Sequence, residues 1–349
     1  MNNSKNNEDN TLFLLSSYDY ELPLDLIAQN PAEPRDSSRL LVIDATCKTL
    51  EHRIFRDIAE YLGKNDLLIL NDTRVISARI RVNEAKSEIL LLRPTAEINI
   101  WQALVKPARK FKRGMRFDLE HGVIEITDKL SDGIWLVSLQ PVRVNSVYEW
   151  IEEIGEAPLP PYIKKTKAPS DSYQTVFARR PGSAAAPTAS LHFTNNLLEV
   201  IKANGVRIAY VTLHVGLGTF RPVRAENIRE HIMHREICSI PRETAQAIIE
   251  CKNNGGRVIA AGTTVIRTLE SFDPGQYGVK DTDLFITRGF SFKVADALIT
   301  NFHIPKSSLL MLVSAFIEDH DFLIDAYKKA ISMEYRFFSF GDAMFIKKS

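Results

Sequence analysis

The residues best suited to chemistry lie where apolar strands run into glycines or small residues. The segment VTLHVGLGTFRPV, residues 211–223, begins with the alternation of a buried strand and then breaks at its glycines. A strand that runs into glycines is typical of open α/β sheets that end at a binding crevice. A tight turn without a ligand is the alternative interpretation. The candidate residues of this segment are His214, Gly216, Gly218, Thr219 and Phe220.

Three other junctions have the same character. In VIAAGTTVIRTLE, residues 258–270, a strand ends at glycine and two threonines precede a helix, whose free N–H groups favour an anion. In TNFHIPKSSLL, residues 300–310, a histidine precedes a proline and a serine cap. In AAAPTASLHF, residues 184–193, small residues allow close backbone packing or contact with a flat ring. The candidates are Gly262, Thr263, Thr264, Arg267, Asn301, Phe302, His303, Thr188, His192 and Phe193.

A metal site is a further hypothesis for the segment that follows the glycine turn. Neutral imidazoles and a carboxylate suit zinc or iron, and His231, His234 and Glu236 supply them. Their spacing matches no common ligand signature. A nucleophile elbow, a phosphate-binding P-loop and a complete dinucleotide fingerprint are absent.

Composition is ordinary for a globular protein of 349 residues, with 45% hydrophobic residues, 25% charged residues and a net charge of +1. Three separated cysteines indicate neither a disulfide framework nor a zinc site, so a cytoplasmic protein is expected. The first apolar run is too short for a signal peptide or a membrane span. Residues 1–16 are predicted to be a disordered lead-in. Nothing in the sequence reveals the oligomeric state, and a monomer is expected.

The order of predicted elements indicates an α/β fold in two parts. Residues 17–71 and 157–349 alternate strands and helices, which predicts an α/β domain with a largely parallel sheet. Residues 72–156 contain short, regularly spaced strands, which predict an inserted small antiparallel β-barrel domain.

Two basic segments suit a phosphate backbone, although solvated surface loops are the alternative. The first surrounds Phe111 and the second follows the proline-rich PLPPY connector. Their candidate phosphate-binding residues are Lys106, Arg109, Lys110, Lys112, Arg113, Lys164 and Lys165.

Taken together, the motifs resemble the S-adenosylmethionine:tRNA ribosyltransferase-isomerase family of queuosine biosynthesis. The stretches that carry this resemblance run from about residue 18 to the C-terminus, in the order YDYELP, PAEPRDSSRL, LNDTRVISAR, PLPPYI, YQTVFA, AAPTASLHF, VTLHVGLGTFRPV, the segment from His231 to Glu236, AAGTTVIRTLES, TNFHIPKSSLLMLVSAF and YRFFSFGDAM. The sequence departs from the family pattern at Ser190, where glycine is expected, and at Val265, where a small polar residue is usual.

The resemblance implies a transferase that moves and isomerises the ribosyl part of S-adenosylmethionine onto 7-aminomethyl-7-deazaguanine at the wobble position of tRNA. The products are epoxyqueuosine-tRNA, adenine and methionine. S-adenosylmethionine is then a consumed substrate, and no cofactor or metal is expected. A metal-dependent hydrolase and a non-enzymatic RNA-binding module are the alternatives.

Within that function, proton transfer is assigned to His192, His214, Glu236 and His303, which titrate near neutrality or can be tuned to do so. Phe193, Phe220 and Phe302 are assigned to the sulfonium cation. The methionine carboxylate or a phosphate is assigned to Thr263, Thr264 and Arg267. Asp72 and Arg74 are expected either to connect the barrel to a substrate or to form internal ion pairs.

Overall fold

The computed structural model describes residues 12–84, 86–130, 133–160, 162–164, 166, 168–216 and 223–348. Its strands are β1 (Arg39–Asp44), β2 (Thr49–Ile54), β3 (Leu67–Asn71), β4 (Thr73–Val75), β5 (Arg79–Val82), β6 (Ser87–Pro94), β7 (Ile100–Lys106), β8 (Arg116–Leu119), β9 (Gly122–Lys129), β10 (Trp135–Pro141), β11 (Gly155–Glu156), β12 (Arg180–Ser183), β13 (Arg207–Leu213), β14 (Glu236–Ile240), β15 (Val258–Ala261), β16 (Gly278–Thr282), β17 (Ala297–Asn301) and β18 (Ala343–Lys347).

Four of the described α-helices begin where the sequence supplies a capping side chain. Ser146, Thr194, Ser307 and Asp319 each accept a hydrogen bond from a backbone N–H in the first turn of the helix that follows. The α-helices are α1 (Val147–Ile154), α2 (Asn195–Ala203), α3 (Arg242–Asn253), α4 (Thr263–Ser271), α5 (Ser308–Ile317) and α6 (His320–Ser332). Short 3₁₀ helices include Phe55–Glu60 and Thr188–His192.

The main sheet is mixed, which corrects the prediction of a largely parallel sheet. Its strand order is β16-β14-β13-β3-β15-β17-β18-β1-β2. Parallel pairing joins β13, β3, β15 and β17, and also joins β18 to β1, whereas the other four neighbouring pairs are antiparallel. A single helix can carry the chain back to the edge of the sheet where the previous strand began, so that the next strand runs parallel to it. Between β17 and β18, however, the chain forms two helices, α5 and α6. The second helix brings the chain back to the edge where β17 ended, so β18 runs antiparallel to it.

Both faces of the main sheet are buried, which explains the continuous apolar run in its central strand. In β3, Leu67 and Ile69 pack into one hydrophobic core, and Leu68 and Leu70 pack into the core on the other face. The central strands are therefore fixed between two packed layers, and their carboxyl ends are held in a rigid frame.

The second sheet is a curled half-barrel rather than a closed barrel. Its order is β11-β5-β6-β7-β10-β9-β8, every described pairing is antiparallel, and all of its strands lie between residues 79 and 156. Among the described residues, the terminal strands β8 and β11 do not pair with each other. β11 contains only Gly155–Glu156, which is too short to extend the ladder around to β8. Trp101 and Trp150 fill the core of this sheet.

The structured chain begins closer to the N-terminus than the sequence predicts. Residues 1–11 lie outside the described residues, whereas Leu14 forms a β-bridge with Asn227 and Leu15 donates its N–H to the carbonyl of Glu226. A 3₁₀ helix follows at Leu15–Tyr18. The predicted lead-in therefore corresponds to structured chain over residues 12–16.

Candidate active site

Four adjacent parallel strands end side by side, and the chemical motifs follow directly after them. β13 leads to His214 and Gly216, β3 leads to Asp72, β15 leads to Gly262, and β17 leads to Phe302. Because the strands are parallel neighbours, their carboxyl ends meet at one edge of the sheet, where open α/β sheets bind ligands. The structure thus brings together motifs that are distant in the sequence.

Asn71 connects three of these strand ends. Its side-chain amide donates to the carbonyl of Leu213 at 3.0 Å and to Oγ1 of Thr264 at 3.3 Å. Its oxygen accepts from the backbone N–H groups of Leu213 and Thr73, each at 3.1 Å. The side chain is completely buried, so these bonds are shielded from water and hold the loops in register.

A cavity of about 320 Å³ lies at this edge, and we call it the uncharged cavity because of the residues that line it. No charged side chain lines it among the described residues. Gly262, with φ of +108°, allows the chain to turn from β15 into α4, a helix that no side chain caps at this residue. The predicted residues in the lining are Thr188, Gly262, Thr263, Thr264, Asn301, Phe302 and His303; the remainder are Tyr162, Tyr173, Ala185, Ala186, Pro187, Ala189, Val215, Thr300, Ile304, Ser307, Ser308, Leu309, Phe338 and Ser339.

Two predicted histidines lie in or beside this cavity, and both are neutral at pH 7. His303 lines the cavity and contacts Thr300 through Nε2 at 2.9 Å, and burial lowers its pKa to about 3. His192 is buried behind Asn301, stacks on Phe55 with ring centroids 4.8 Å apart, and has its pKa lowered by burial to about 4. Neutral imidazoles do not repel a cationic ligand, but such low pKa values make them weak bases.

A second cavity of about 230 Å³, which we call the His214 cavity, lies between the main sheet and the half-barrel. His214 and Gly216 line it from the main sheet, and Arg93 and Tyr148 line it from the half-barrel side. An isolated β-bridge joins Ala185 to Val215, and both of those residues line the uncharged cavity. The segment 214–216 therefore contributes to both cavities.

His214 is held at the edge of the second cavity by two neighbours. Thr73 Oγ1 lies 2.8 Å from its Nδ1, and Gly182 packs so closely that an added Cβ would lie 3.0 Å from the imidazole ring. Burial, with a smaller contribution from Arg180, lowers its pKa to about 4. His214 is only partly buried, unlike His192 and His303. It is therefore the predicted histidine best placed to contact a substrate.

Glu236 and Arg267 form a buried ion pair under the start of the glycine turn. Arg267 Nη1 contacts Glu236 Oε2, Arg267 Nε donates to the carbonyl of Leu284 at 3.1 Å, and Glu236 Oε1 accepts the Gly216 N–H at 2.7 Å. Both charged side chains are at most 5% exposed. Arg267 is thus engaged by protein and does not line the uncharged cavity, and Glu236 fixes the backbone of the turn.

Asp72 and Arg74 form internal ion pairs, as one of the two sequence interpretations expects. Asp72 accepts from Thr212 Oγ1 at 2.6 Å and lies 3.6 Å from Arg180. Arg74 lies 3.5 Å from Glu152 of α1, which connects β4 to the half-barrel segment. Phe193 is completely buried in the core and contacts Phe55 edge-on, away from the lining of either cavity.

The first basic segment lies at the surface. Phe111 is its only buried residue between 108 and 114, and no ion pair of its lysines and arginines is found within the described residues. Lys164 is also exposed. The exposed candidates of the first segment are Lys106, Arg109, Lys110, Lys112 and Arg113, with Arg116 beside them. The predicted residues Gly218, Thr219, Phe220 and Lys165 lie outside the described residues.

The metal hypothesis is not favoured. Within the described ranges, no three His, Cys, Asp or Glu side chains are grouped as a metal site requires. Glu236 is engaged by Arg267, and His231 packs edge-on against Phe285 with ring centroids 5.1 Å apart.

In the part of the chain that the structure describes, no helix combines the length and apolar character needed to cross a membrane.

The sequence analysis did not identify the residues that form hydrogen bonds with the candidate histidines. Ser38 contacts His192 Nδ1 at 2.7 Å, and Thr73 contacts His214. Neither residue type carries a signal by itself, because serine and threonine are common at turns.

The two departures from the family pattern, Ser190 and Val265, are both completely buried, and Ser190 Oγ donates to the carbonyl of Ala261 at 3.3 Å.

These features define an α/β protein with a candidate ligand site at the carboxyl ends of its parallel strands and an exposed basic segment suited to nucleic-acid phosphates. The family model described as Queuosine biosynthesis protein matches residues 15–346. The chain belongs to this family.

Individual relatives cover nearly the whole chain. S-adenosylmethionine:tRNA ribosyltransferase-isomerases from Thermosipho africanus and Staphylococcus epidermidis are 52% and 49% identical, over 95% of this chain and 99% of each relative. The crystal structure of the S-adenosylmethionine tRNA ribosyltransferase from Thermotoga maritima has a TM-score of 0.55 and 39% identity, and the match covers 95% of this chain and 99% of that one.

Proposed function

We propose that this protein is an S-adenosylmethionine:tRNA ribosyltransferase-isomerase. It transfers and isomerises the ribosyl moiety of S-adenosylmethionine to 7-aminomethyl-7-deazaguanine at the wobble position of tRNA. Epoxyqueuosine-tRNA, adenine and methionine are the products. The observation that carries this proposal is the 52% identity to a relative of that name over nearly the full length of both chains.

The two adjoining cavities support a substrate with chemically different ends. S-adenosylmethionine carries a neutral base, a sulfonium and a charged amino acid. The uncharged cavity suits the neutral part, and the aromatic rings in its lining suit a sulfonium. The His214 cavity, lined by Arg93, Arg235 and Glu236, suits charged groups.

The chemistry requires a group that accepts a proton from the ribose carbon next to the sulfonium. Adenine then leaves, the tRNA amine adds, and a ribose oxygen displaces methionine to close the epoxide. We assign the proton acceptor to His214, because it lines the His214 cavity, is only partly buried and is oriented by Thr73. Its pKa of about 4 makes it as weak a base as His192, so the position of His214 and not its basicity supports this assignment. Glu236 and Arg267 keep the Gly216 turn in place, and His303 remains a candidate for proton transfer to adenine.

The tRNA is assigned to the exposed basic segment, which supplies charge without reading sequence. Residues 72–156, which hold the half-barrel, are the proposed bounds of an inserted domain. Because tRNA is a substrate, the reaction is assigned to the cytoplasm, and a monomer suffices for it. S-adenosylmethionine is consumed, and no cofactor is required by this scheme.

The direct test mixes the protein with S-adenosylmethionine and tRNA that carries 7-aminomethyl-7-deazaguanine, and measures adenine by chromatography. Adenine is expected only with the modified tRNA, and unmodified tRNA is the control. Salt-dependent tRNA binding without adenine release would instead indicate an RNA-binding module. A stoichiometric metal whose removal abolishes activity would support the metal-dependent hydrolase.

A further inference from the structure

The uncharged cavity discriminates between the two ends of S-adenosylmethionine. The methionine end brings a carboxylate and an ammonium, and burial of an unpaired ion costs several kcal/mol. Among the described residues, the lining offers aromatic rings, small alanines and hydroxyl groups, but no charged partner. A flat, neutral base meets no such penalty there.

Asn301, the last residue of β17, provides a specific hydrogen-bonding group in this lining. Its Nδ2 donates to the carbonyl of Phe338 at 2.9 Å and contacts His192 Nε2 at 3.3 Å. The carbonyl requires a donor, so the orientation of the amide is fixed. Both N–H groups are thus used by protein. Within the described residues Oδ1 has no hydrogen-bond partner, and the residue is only 2% exposed.

An unpaired buried acceptor is destabilising unless a ligand donates to it. The 6-amino group of adenine is such a donor. The ring nitrogens of adenine are acceptors, and the cavity presents hydroxyl groups that can donate, including those of Thr188 and Thr263. The cavity is therefore complementary to adenine in charge and in the hydrogen-bonding groups that it offers.

His192 determines how Asn301 is held. Because its Nε2 accepts from Asn301, its proton is on Nδ1, from which it donates to Ser38 Oγ at 2.7 Å. The imidazole is completely surrounded by Ser38, Phe55 and Asn301 and does not line the cavity. This geometry suits a positioning residue rather than a group that transfers protons to substrate.

We propose that the uncharged cavity binds the adenine base of S-adenosylmethionine, that Asn301 Oδ1 accepts a hydrogen bond from its 6-amino group, and that His192 is a positioning residue for Asn301. This inference rests on the proposed function. It replaces the sequence-based assignment of Thr263 and Thr264 to the methionine carboxylate, because a carboxylate would find no cation in this cavity.

The test compares S-adenosylmethionine with its deaminated analogue, in which a 6-oxo group replaces the amino group. The native protein is expected to prefer the amino form by about 10-fold or more in kcat/KM, since the analogue places an oxygen against Oδ1. In N301A the preference is expected to fall to roughly 1–3-fold. N204A, a surface asparagine that donates to the carbonyl of Ala59 at 3.3 Å, serves as the control and retains the native preference.

H192F separates positioning from proton transfer. Loss of positioning lowers the preference for the amino form, whereas loss of a proton-transfer group lowers kcat for both substrates equally and leaves the ratio unchanged. The latter result, or an unchanged ratio in N301A, overturns the proposal. Inhibition of the native protein by adenine and hypoxanthine gives a readout without any substitution, and equal inhibition by the two also overturns it. If the native protein releases no adenine at all, the proposed function itself fails.

Discussion

The ion pair between Glu236 and Arg267 provides the sharpest test of how the glycine turn is held. Each side chain is almost completely shielded from water, so removal of one charge leaves the other buried without its partner. E236Q is expected to lower the free energy of unfolding by about 3–5 kcal/mol, and R267M by a similar amount. The double variant is expected to lose much less than the sum, because neither charge remains.

The exposed pair Arg207–Glu250 is the matched control in the same chain. Its atoms lie 2.7 Å apart, but both side chains are more than 40% exposed, so R207M and E250Q are each expected to cost at most about 1 kcal/mol. Denaturant unfolding of all variants measures these differences, provided that the slope of unfolding free energy against denaturant concentration is the same for each variant. If E236Q and R267M add fully, or cost no more than the exposed pair, the reasoning about a coupled buried pair is refuted.

Three other predictions follow from the histidines, the glycines and the basic segment. The pKa of His192 is about 4 in the folded protein and 6.5 in the unfolded chain, so the unfolded chain alone binds this proton as pH falls through that range. The His192 imidazole should therefore contribute a loss of about 3 kcal/mol of folding stability between pH 7 and 4, and H192F should reduce the slope of unfolding midpoint against pH in that range. G182A should displace the imidazole of His214, because the added Cβ meets the ring at 3.0 Å and φ is +145°. Adenine release should fall in G182A but change little when G182A is added to H214A, and additive losses would contradict the close packing of Gly182 on the ring. R109S with K110S should weaken tRNA binding and lower the slope of log affinity against log salt by roughly 1 for each phosphate that the variant no longer neutralises, while KM for S-adenosylmethionine stays unchanged.

Hydrophobic patterning predicted the elements well where local and tertiary preferences agree. In the segment 258–270, the predicted strand that ends at glycine and the predicted helix after it are both confirmed, as Val258–Ala261 and Thr263–Ser271. Sheet order and closure were less predictable. The antiparallel entry of β18 and the open edge of the half-barrel depend on how many helices intervene and on the length of β11, and hydrophobic periodicity reports neither.

The candidate site shows the same division. The segments around His214, Gly262 and Asn301 were identified from the sequence, because a strand that ends in glycine or polar residues is a local signal. The sequence did not predict that Arg267 and Glu236 pair with each other, because the two residues are 31 positions apart in the chain. Only the folded chain brings that pair together.

By itself, the sequence determined the family, most elements and the strand ends at which the candidate residues lie, because these follow from local order along the chain. The tertiary structure decided which of those residues face a cavity and which are used by other protein groups. Burial and hydrogen-bond partners are properties of distant segments in contact, as His192 with Ser38 and Asn301 shows. A histidine that the sequence placed on a par with His214 is enclosed in the fold, and its neutral imidazole there holds an amide in place.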